Sequence, residues 1–370
     1  MRITSVRYYP LYPKDDYGGA MERGENFNTL IELTADNGLV GYGSTYTSFA
    51  LTAAAMRLIE PILAEEGDVA PARISERLHQ QHFWLGRGGS VTHVISGVDI
   101  ALWDLFGKQL GVSVSRLIGG RYRDKVHPYA SLSFGDGGRL EEKIEDALKR
   151  GFQGIKVGWG SFGRRDLKND EALTARCRRA AGDDTALMID AGGSDKYYNV
   201  TYKRALQTAK MLGDYGVEWY EEALRPDDIE GYIKLREHSP VKISSCEVLT
   251  RRQTFHPWIE RGAVDIVQPD STKVGGLTEA LRIAWHAYDH GIDYVGHGWN
   301  TAFGLAADLQ IAAALPSAQW VEYISPSPLL DNITTTSFKI VDGFLAIPDT
   351  PGLGIVPDME KVAYYATPGT

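Results

Sequence analysis

The chain opens with alternating apolar and polar positions. ITSVRYYPLY and TLIELTADNGLVGYGSTYT read as strands of an antiparallel ribbon, with Asp36-Asn37-Gly38 supplying the positive φ that a hairpin turn needs. From Leu51 to about Gly119 the period becomes helical, in AAAMRLIEPILAEEG, ISERLHQQHFW and ISGVDIALWDLFGKQLG, where Ile95, Val98, Leu102 and Leu105 recur every three or four positions. Strands followed by segregated helices predict an α+β unit over residues 1–125.

After Val126 a short β-rich run, a polar residue at its end and an amphipathic helix repeat. The β runs are VHPYA, GIKVGW, ALMIDAG, EWYEEA, KISSCE, DIVQPD, YVGHGW and WVEYI, separated by helical patterns such as LEEKIEDALKR, NDEALTARCRRAA, VTYKRALQTAKMLGDYG and LTEALRIAWHAYDHG. Eight β segments alternating with helices over residues 126–324 predict a (β/α) barrel, with Ala302 to Ser317 as the last crossover. The tail, 325–370, is turn-rich around PDTPGLGIVPD and is expected to fold back on the first unit.

Barrel chemistry sits at the C-terminal ends of the strands. Those ends carry Lys156, Asp190, Glu221, Glu247, Asp270, His297 and Glu322, spaced 23 to 34 residues apart, one β/α unit each. Asp190, Glu221 and Glu247 are three hard carboxylates on neighbouring strands. They are a ligand set for Mg²⁺, one ion per chain with Mn²⁺ as the alternative, and would repel one another without a cation. Glu222 competes with Glu221; strict alternation turns one into the barrel and the other to the helical layer. Asp270 beside His297 would fix the ring tautomer and make it a base near neutral pH. Lys156 is a second candidate base, or else the partner of a carboxylate.

Composition narrows the partners. Lys plus Arg number 39 against 48 Asp plus Glu, a net charge of -9, which disfavours nucleic acid. Cys177 and Cys246 have no metal-ligand spacing and point to a reducing compartment. The two arginines of MRITSVRYYP precede no apolar run, and Phe303 to Leu315 is broken by Asp308 and Gln310, so neither a secretory signal nor a membrane span is expected and the placement is cytoplasmic. Gly158 to Gly163 fits G-x-G-x-x-G, but it lies in the second unit of a barrel series and runs into polar GRRDLKND, so it reads as a flexible loop over the mouth instead of a dinucleotide cradle.

The series SGVDIALWDLFGK, KVG, MIDAG, WYEEA, SCE, QPD followed by KVGG, the histidine strand, WVEY and PGLG resembles the enolase superfamily, in its mandelate racemase-like branch, over nearly the whole chain. The resemblance implies a modified TIM barrel, (β/α)7β, with an N-terminal α+β capping domain completed by the C-terminal tail. It implies Asp190, Glu221 and Glu247 as Mg²⁺ ligands, Lys156 and the Asp270–His297 pair as bases, Glu322 as a hydrogen-bond partner of the substrate carboxylate, and a homo-oligomer, dimer to octamer. Three positions depart from the branch: Gly154 stands where it commonly has the first lysine of Lys-x-Lys, Ala223 where it has proline, and Gly192 where it has asparagine.

The shared chemistry is removal of a proton next to a carboxylate, with metal and base dividing the work. Cap loops Asp16 to Asn28 and Ser44 to Ser48 offer Tyr17, Arg23, Glu25, Asn26, Thr45 and Tyr46, joined by Trp299 near His297, a polar lining that suits a polyol. A sugar-acid (aldonate or aldarate) dehydratase is therefore expected. A racemase or epimerase, a lactone cycloisomerase, or a non-catalytic sugar-acid binder are the competing readings.

Overall fold

The computed structural model describes residues 1–14, 27–135 and 138–367. Strands β1 (Ile3–Leu11), β2 (Asn28–Ala35) and β3 (Val40–Tyr46) form an antiparallel sheet in the order β1-β2-β3, turning at Gly38 with φ 81°. Helices α1 (Phe49–Glu65), α2 (Pro71–Gln81) and α3 (Ser90–Leu110) accompany it. Two glycines of β3 let α3 approach: a Cβ at Gly41 would come within 2.2 Å of the Ala101 carbonyl oxygen, and one at Gly43 within 2.1 Å of that of Gly97. Bulkier residues would hold the helix off the sheet and open the core that Ile31, Leu33, Ile95, Val98 and Leu102 fill.

A short α4 (Val114–Leu117) leads into the barrel: β4 (Lys125–Ser133), α5 (Leu140–Lys149), β5 (Gly154–Gly158), α6 (Leu167–Ala181), β6 (Ala186–Asp190), α7 (Tyr202–Asp214), β7 (Val217–Glu221), α8 (Ile229–His238), β8 (Lys242–Ser245), α9 (Arg252–Glu260), β9 (Ile266–Val267), α10 (Gly276–Asp289), β10 (Asp293–Tyr294), α11 (Ala302–Ala313) and β11 (Trp320–Ile324). Parallel ladders run in sequence order from β4 to β10, and β11 returns to β4, giving the expected (β/α)7β arrangement. Between β10 and β11 a side chain bridges: the Gly298 N–H donates to Glu322 Oε2 at 2.7 Å.

Alternation sorts the two faces of each strand. On β5 and β6, Ile155, Val157, Leu187 and Ile189 join the large core shared with the helices, whereas Tyr129, Met188, Trp219, Ile266 and Val295 form a separate apolar cluster against which Trp320 packs. Gly154 belongs to that inner layer. A Cβ there would lie 2.7 Å from the Trp320 ring, so the indole occupies the room that a lysine would need.

The tail pairs with the barrel before it reaches the cap. It contains α12 (Pro328–Asp331), β12 (Ile340–Val341), β13 (Phe344–Ala346) and α13 (Met359–Tyr365), and β13 pairs antiparallel with the start of β4 through Leu345 and Val126. Only afterwards does it reach the cap, where Leu353 N donates to Asp104 Oδ1 at 2.8 Å and Tyr12 N to the Tyr365 carbonyl at 2.8 Å. Helix α3 ties these parts together. Its Asp99 accepts from Thr278 N at 2.9 Å and Thr278 Oγ1 at 2.6 Å, Ser96 Oγ accepts from Gly275 N at 2.8 Å, and Asp104 receives the tail. No helix among the described residues is long and apolar enough to cross a membrane.

Candidate active site

The β5–β6–β7 register puts Gly158, Asp190 and Glu221 in one layer at the C-terminal rim. Gly158 makes room, since a Cβ there would meet Asp190 Cβ at 2.7 Å. Glu247 lies two residues beyond β8, past Cys246, whose φ of 96° turns the chain sharply after the strand. Trp159 and Glu222, at φ 64° and 47°, leave β5 and β7 in the same left-handed way. Left-handed non-glycine backbone after β5, β7 and β8 is strain concentrated at the mouth, as functional sites tend to have.

Oxygen atoms of Asp190, Glu221 and Glu247 all lie within 4.8 Å of one another, and all three residues are buried. Asp190 accepts from Trp159 Nε1 at 3.0 Å and Gly192 N at 2.7 Å; Glu221 accepts from Trp219 Nε1 at 3.0 Å and Gln268 Nε2 at 2.8 Å. Burial and the charges of Glu221 and Glu247 push the Asp190 carboxyl well above its usual range despite Lys156 nearby. Three buried oxygen donors whose mutual repulsion Lys156 offsets only in part fit a hard divalent cation such as Mg²⁺.

Lys156 is also buried. Its Nζ lies 2.5 Å from Glu221 Oε1 and 2.8 Å from Glu322 Oε1. Burial disfavours its charge, but those two carboxylates outweigh burial and hold it firmly as an ammonium. Glu322 is in turn carried down to about 2, burial being outweighed by Lys156 and His297. Expected to hydrogen-bond a substrate carboxylate, Glu322 is here ionised and spends its oxygens on Lys156 and the Gly298 amide.

Across the cavity, Asp270 Oδ2 lies 2.7 Å from His297 Nδ1, while Oδ1 accepts from Thr272 N at 2.7 Å and Thr272 Oγ1 at 2.6 Å. His297 Nε2 lies 3.2 Å from Glu247 Oε2. Burial works against a charged ring, but Glu247 and Asp270 carry His297 up to about 9. Lys273, whose Nζ sits 3.5 Å from Asp270 Oδ2 and 4.5 Å from the Tyr46 ring centroid, adds a second cation to the lining. A cavity of about 610 Å³ is lined by Lys156, Asp190, Glu247, Lys273, His297 and Glu322, and also by Phe27, Ser131, Trp159, Lys196 and Trp299.

Some expected site residues stand elsewhere. Ser44 to Tyr46 is the end of β3, not a loop, and alternation there puts Tyr46 on the cavity while Thr45 is fully buried and absent from its lining. Tyr17, Arg23, Glu25 and Asn26 lie outside the described residues. Glu222 does not join the helical layer: its left-handed backbone breaks the alternation, its carboxylate accepts from Ser194 Oγ at 2.7 Å, and burial with Glu247 and Asp190 pushes it well up. The Gly158–Gly163 segment is packed down, with Phe162 fully buried and stacked 5.5 Å from Phe134, and Trp159 on the cavity. Sequence reasoning missed Lys273 and Trp159 as site residues. The signal for Lys273 was its place three residues past Asp270, within one turn of it.

A capped (β/α)7β barrel that gathers three acids, a lysine and an Asp–His pair at its mouth defines an enolase-type enzyme. Residues 21–119 match the mandelate racemase / muconate lactonizing enzyme N-terminal domain and residues 139–362 the enolase C-terminal domain-like family, and the chain belongs to that family. It is similar to the D-galactarolactone cycloisomerase of Agrobacterium fabrum, at 30% identity over 100% of both chains. It is similar as well to the arabinonate dehydratase of Saccharolobus solfataricus, at 31% identity over 87% of this chain and 86% of that one. The crystal structure of the 3,6-anhydro-D-galactonate cycloisomerase from Zobellia galactanivorans superposes with a TM-score of 0.88 at 29% identity, covering 99% of each chain.

Proposed function

We propose that the protein catalyses β-elimination on a sugar acid, as a dehydratase of an aldonate or aldarate. The observation that carries this reading is the Asp270–His297 pair facing Lys156 and the acid triad across one cavity. Asp190, Glu221 and Glu247 would hold Mg²⁺, which when bound offsets the charge that develops on the substrate carboxylate. Nδ1 of His297 is fixed by Asp270, so Nε2 of the neutral ring is the atom that takes the α-proton. The same ring then returns that proton to the oxygen on the β-carbon, which leaves as water, and the enol becomes a 2-keto-3-deoxy acid. Both oxygen partners of Lys156 are engaged, so it serves as a fixed cation beside the substrate carboxylate, with Lys273 as a second. Tyr46 and Trp299 would meet the polyol, together with Tyr17, Arg23 and Asn26.

A second reading keeps every step but the leaving group. Where the β-oxygen is part of a ring it stays tethered and the ring opens, which is cycloisomerisation; the end-to-end similarity to the Agrobacterium fabrum protein favours it. A panel of aldonic and aldaric acids and their lactones, assayed with Mg²⁺ for 2-keto acid, tests both. Dehydration gives a product one water lighter than its substrate, and ring opening an isomer of equal mass. No keto product from any member, with deuterium uptake at carbon 2, overturns both in favour of a racemase.

A further inference from the structure

The helical layer carries a second group of metal-ligating side chains that the chemistry of the mouth does not use. His256 and Glu260 stand four residues apart on α9, and His286 and His290 four apart at the end of α10. This spacing puts each pair on one helix face. Ligating atoms of His256, Glu260 and His286 all lie within 4.8 Å of one another. His286 Nε2 is buried without a hydrogen-bond partner, 3.3 Å from Glu260 Oε1 but outside hydrogen-bond geometry, and His256 Nδ1 is 4.0 Å from the same oxygen. The His256 and His286 rings are 4.5 Å apart between centroids, as are those of His286 and His290. His290 Nδ1 faces the His286 carbonyl at 2.9 Å, which leaves Nε2 as its ligating atom.

Three imidazoles so close together repel one another once protonated, and burial together with His256 and His290 lowers the proton affinity of His286. Neutral rings are the form that binds metal. The C-terminal ends of both helices also point their partial negative charge at this spot. Helices of such a barrel run opposite to the strands, so the group lies toward the face away from the mouth, where a bound ion would act on stability and not on the chemistry.

We infer that His256, Glu260 and His286, with His290 as fourth ligand, form a site for one borderline transition-metal ion of the Zn²⁺ class that clips α9 to α10. Ligand softness separates the two sites: imidazole nitrogens select Zn²⁺, Ni²⁺ or Cu²⁺, whereas the all-carboxylate triad suits Mg²⁺. The inference stands apart from the proposed reaction.

The test uses the full-length protein, stripped with a chelator, returned to excess Mg²⁺ and titrated with ZnCl₂ by calorimetry, with thermal melts in parallel. One Zn²⁺ per chain is expected to bind without displacement by Mg²⁺ and, at hundredfold excess over its Kd, to raise Tm by roughly 3 °C. His286→Ala should abolish that binding and the Tm shift, and His256→Gln should weaken binding at least about tenfold. Mg²⁺-dependent turnover should be the same in both variants. Identical Zn²⁺ uptake in wild type and both variants, or uptake lost only in Glu247→Gln, overturns the proposal.

Discussion

Asp190 and Asp270 lie at strand ends three units apart in one barrel, both fully enclosed, yet their carboxyl groups shift in opposite directions. Asp190 is pushed up by burial, Glu221 and Glu247; Asp270 is burdened by the same burial but is held below the ordinary range by Lys273 and His297. Burial is common to both, so neighbours decide. On the β6–β8 side three acids face one another, and Lys156 at Glu221 and His297 at Glu247 offset only part of their charge, so Asp190 stays raised. On the β9–β10 side the chain supplies its own cations, and the acid is free to orient a ring. The rim is thus divided into a part where acids crowd together and a part where an acid is paired with cations and holds an imidazole.

The largest effect should come from striking the first part alone. Chelation is expected to take turnover of the sugar-acid substrate below detection, with full recovery on adding Mg²⁺; an enzyme that stays active after exhaustive chelation breaks the comparison. Next comes the second part. Asp270→Asn should lower kcat by about 10²–10⁴ through loss of the ring's tautomer while Mg²⁺ affinity, read by calorimetry, stays within about twofold. Equal losses of metal and of turnover would mean that the two sides are one unit.

The smallest effect sharpens the comparison with an acid whose hydrogen-bond partners are neutral. Burial lifts Asp99, at the joint between α3 and α10, to about 7. Because this is above its unfolded value, its contribution to stability is full in acid and is lost as pH rises through about 7. His79, lowered by burial and Arg251 to about 3, has the opposite sign but acts only below its unfolded value of 6.5. Between pH 6.5 and 8 His79 no longer contributes, and the fall in stability is shared by Asp99 and by His297, which is raised to about 9 and loses stability in the same direction. Over that window Tm should fall by about 2 °C in wild type and by less in Asp99→Asn, measured by thermal melts.

Most of the barrel was legible because each strand is a short β run stopped by a charged residue, and Lys156, Asp190, Glu221, Glu247, Asp270, His297 and Glu322 do converge. What failed to show in sequence depends on docking or on exits from strands. Whether Thr45 or Tyr46 meets the cavity is set by which face of β3 covers α3, and Gly41 and Gly43 reveal this only once the helix is in place. Glu222 was misplaced because period-two reasoning ends with the strand, at Glu221. The β12–β13 hairpin, two and three residues long, is too short to leave a pattern. Lys273 was hidden in a turn whose shape comes from Asp270 accepting from Thr272 and from α3 gripping Gly275 and Thr278.

The indole of Trp320 over Gly154, with Tyr129 and Trp219 beside it, has a bearing on traffic. These rings fill the barrel axis beneath the charged groups of the mouth. Under the proposed dehydration, the water released would leave on the mouth side of these rings, the side on which the cavity and its charged lining lie.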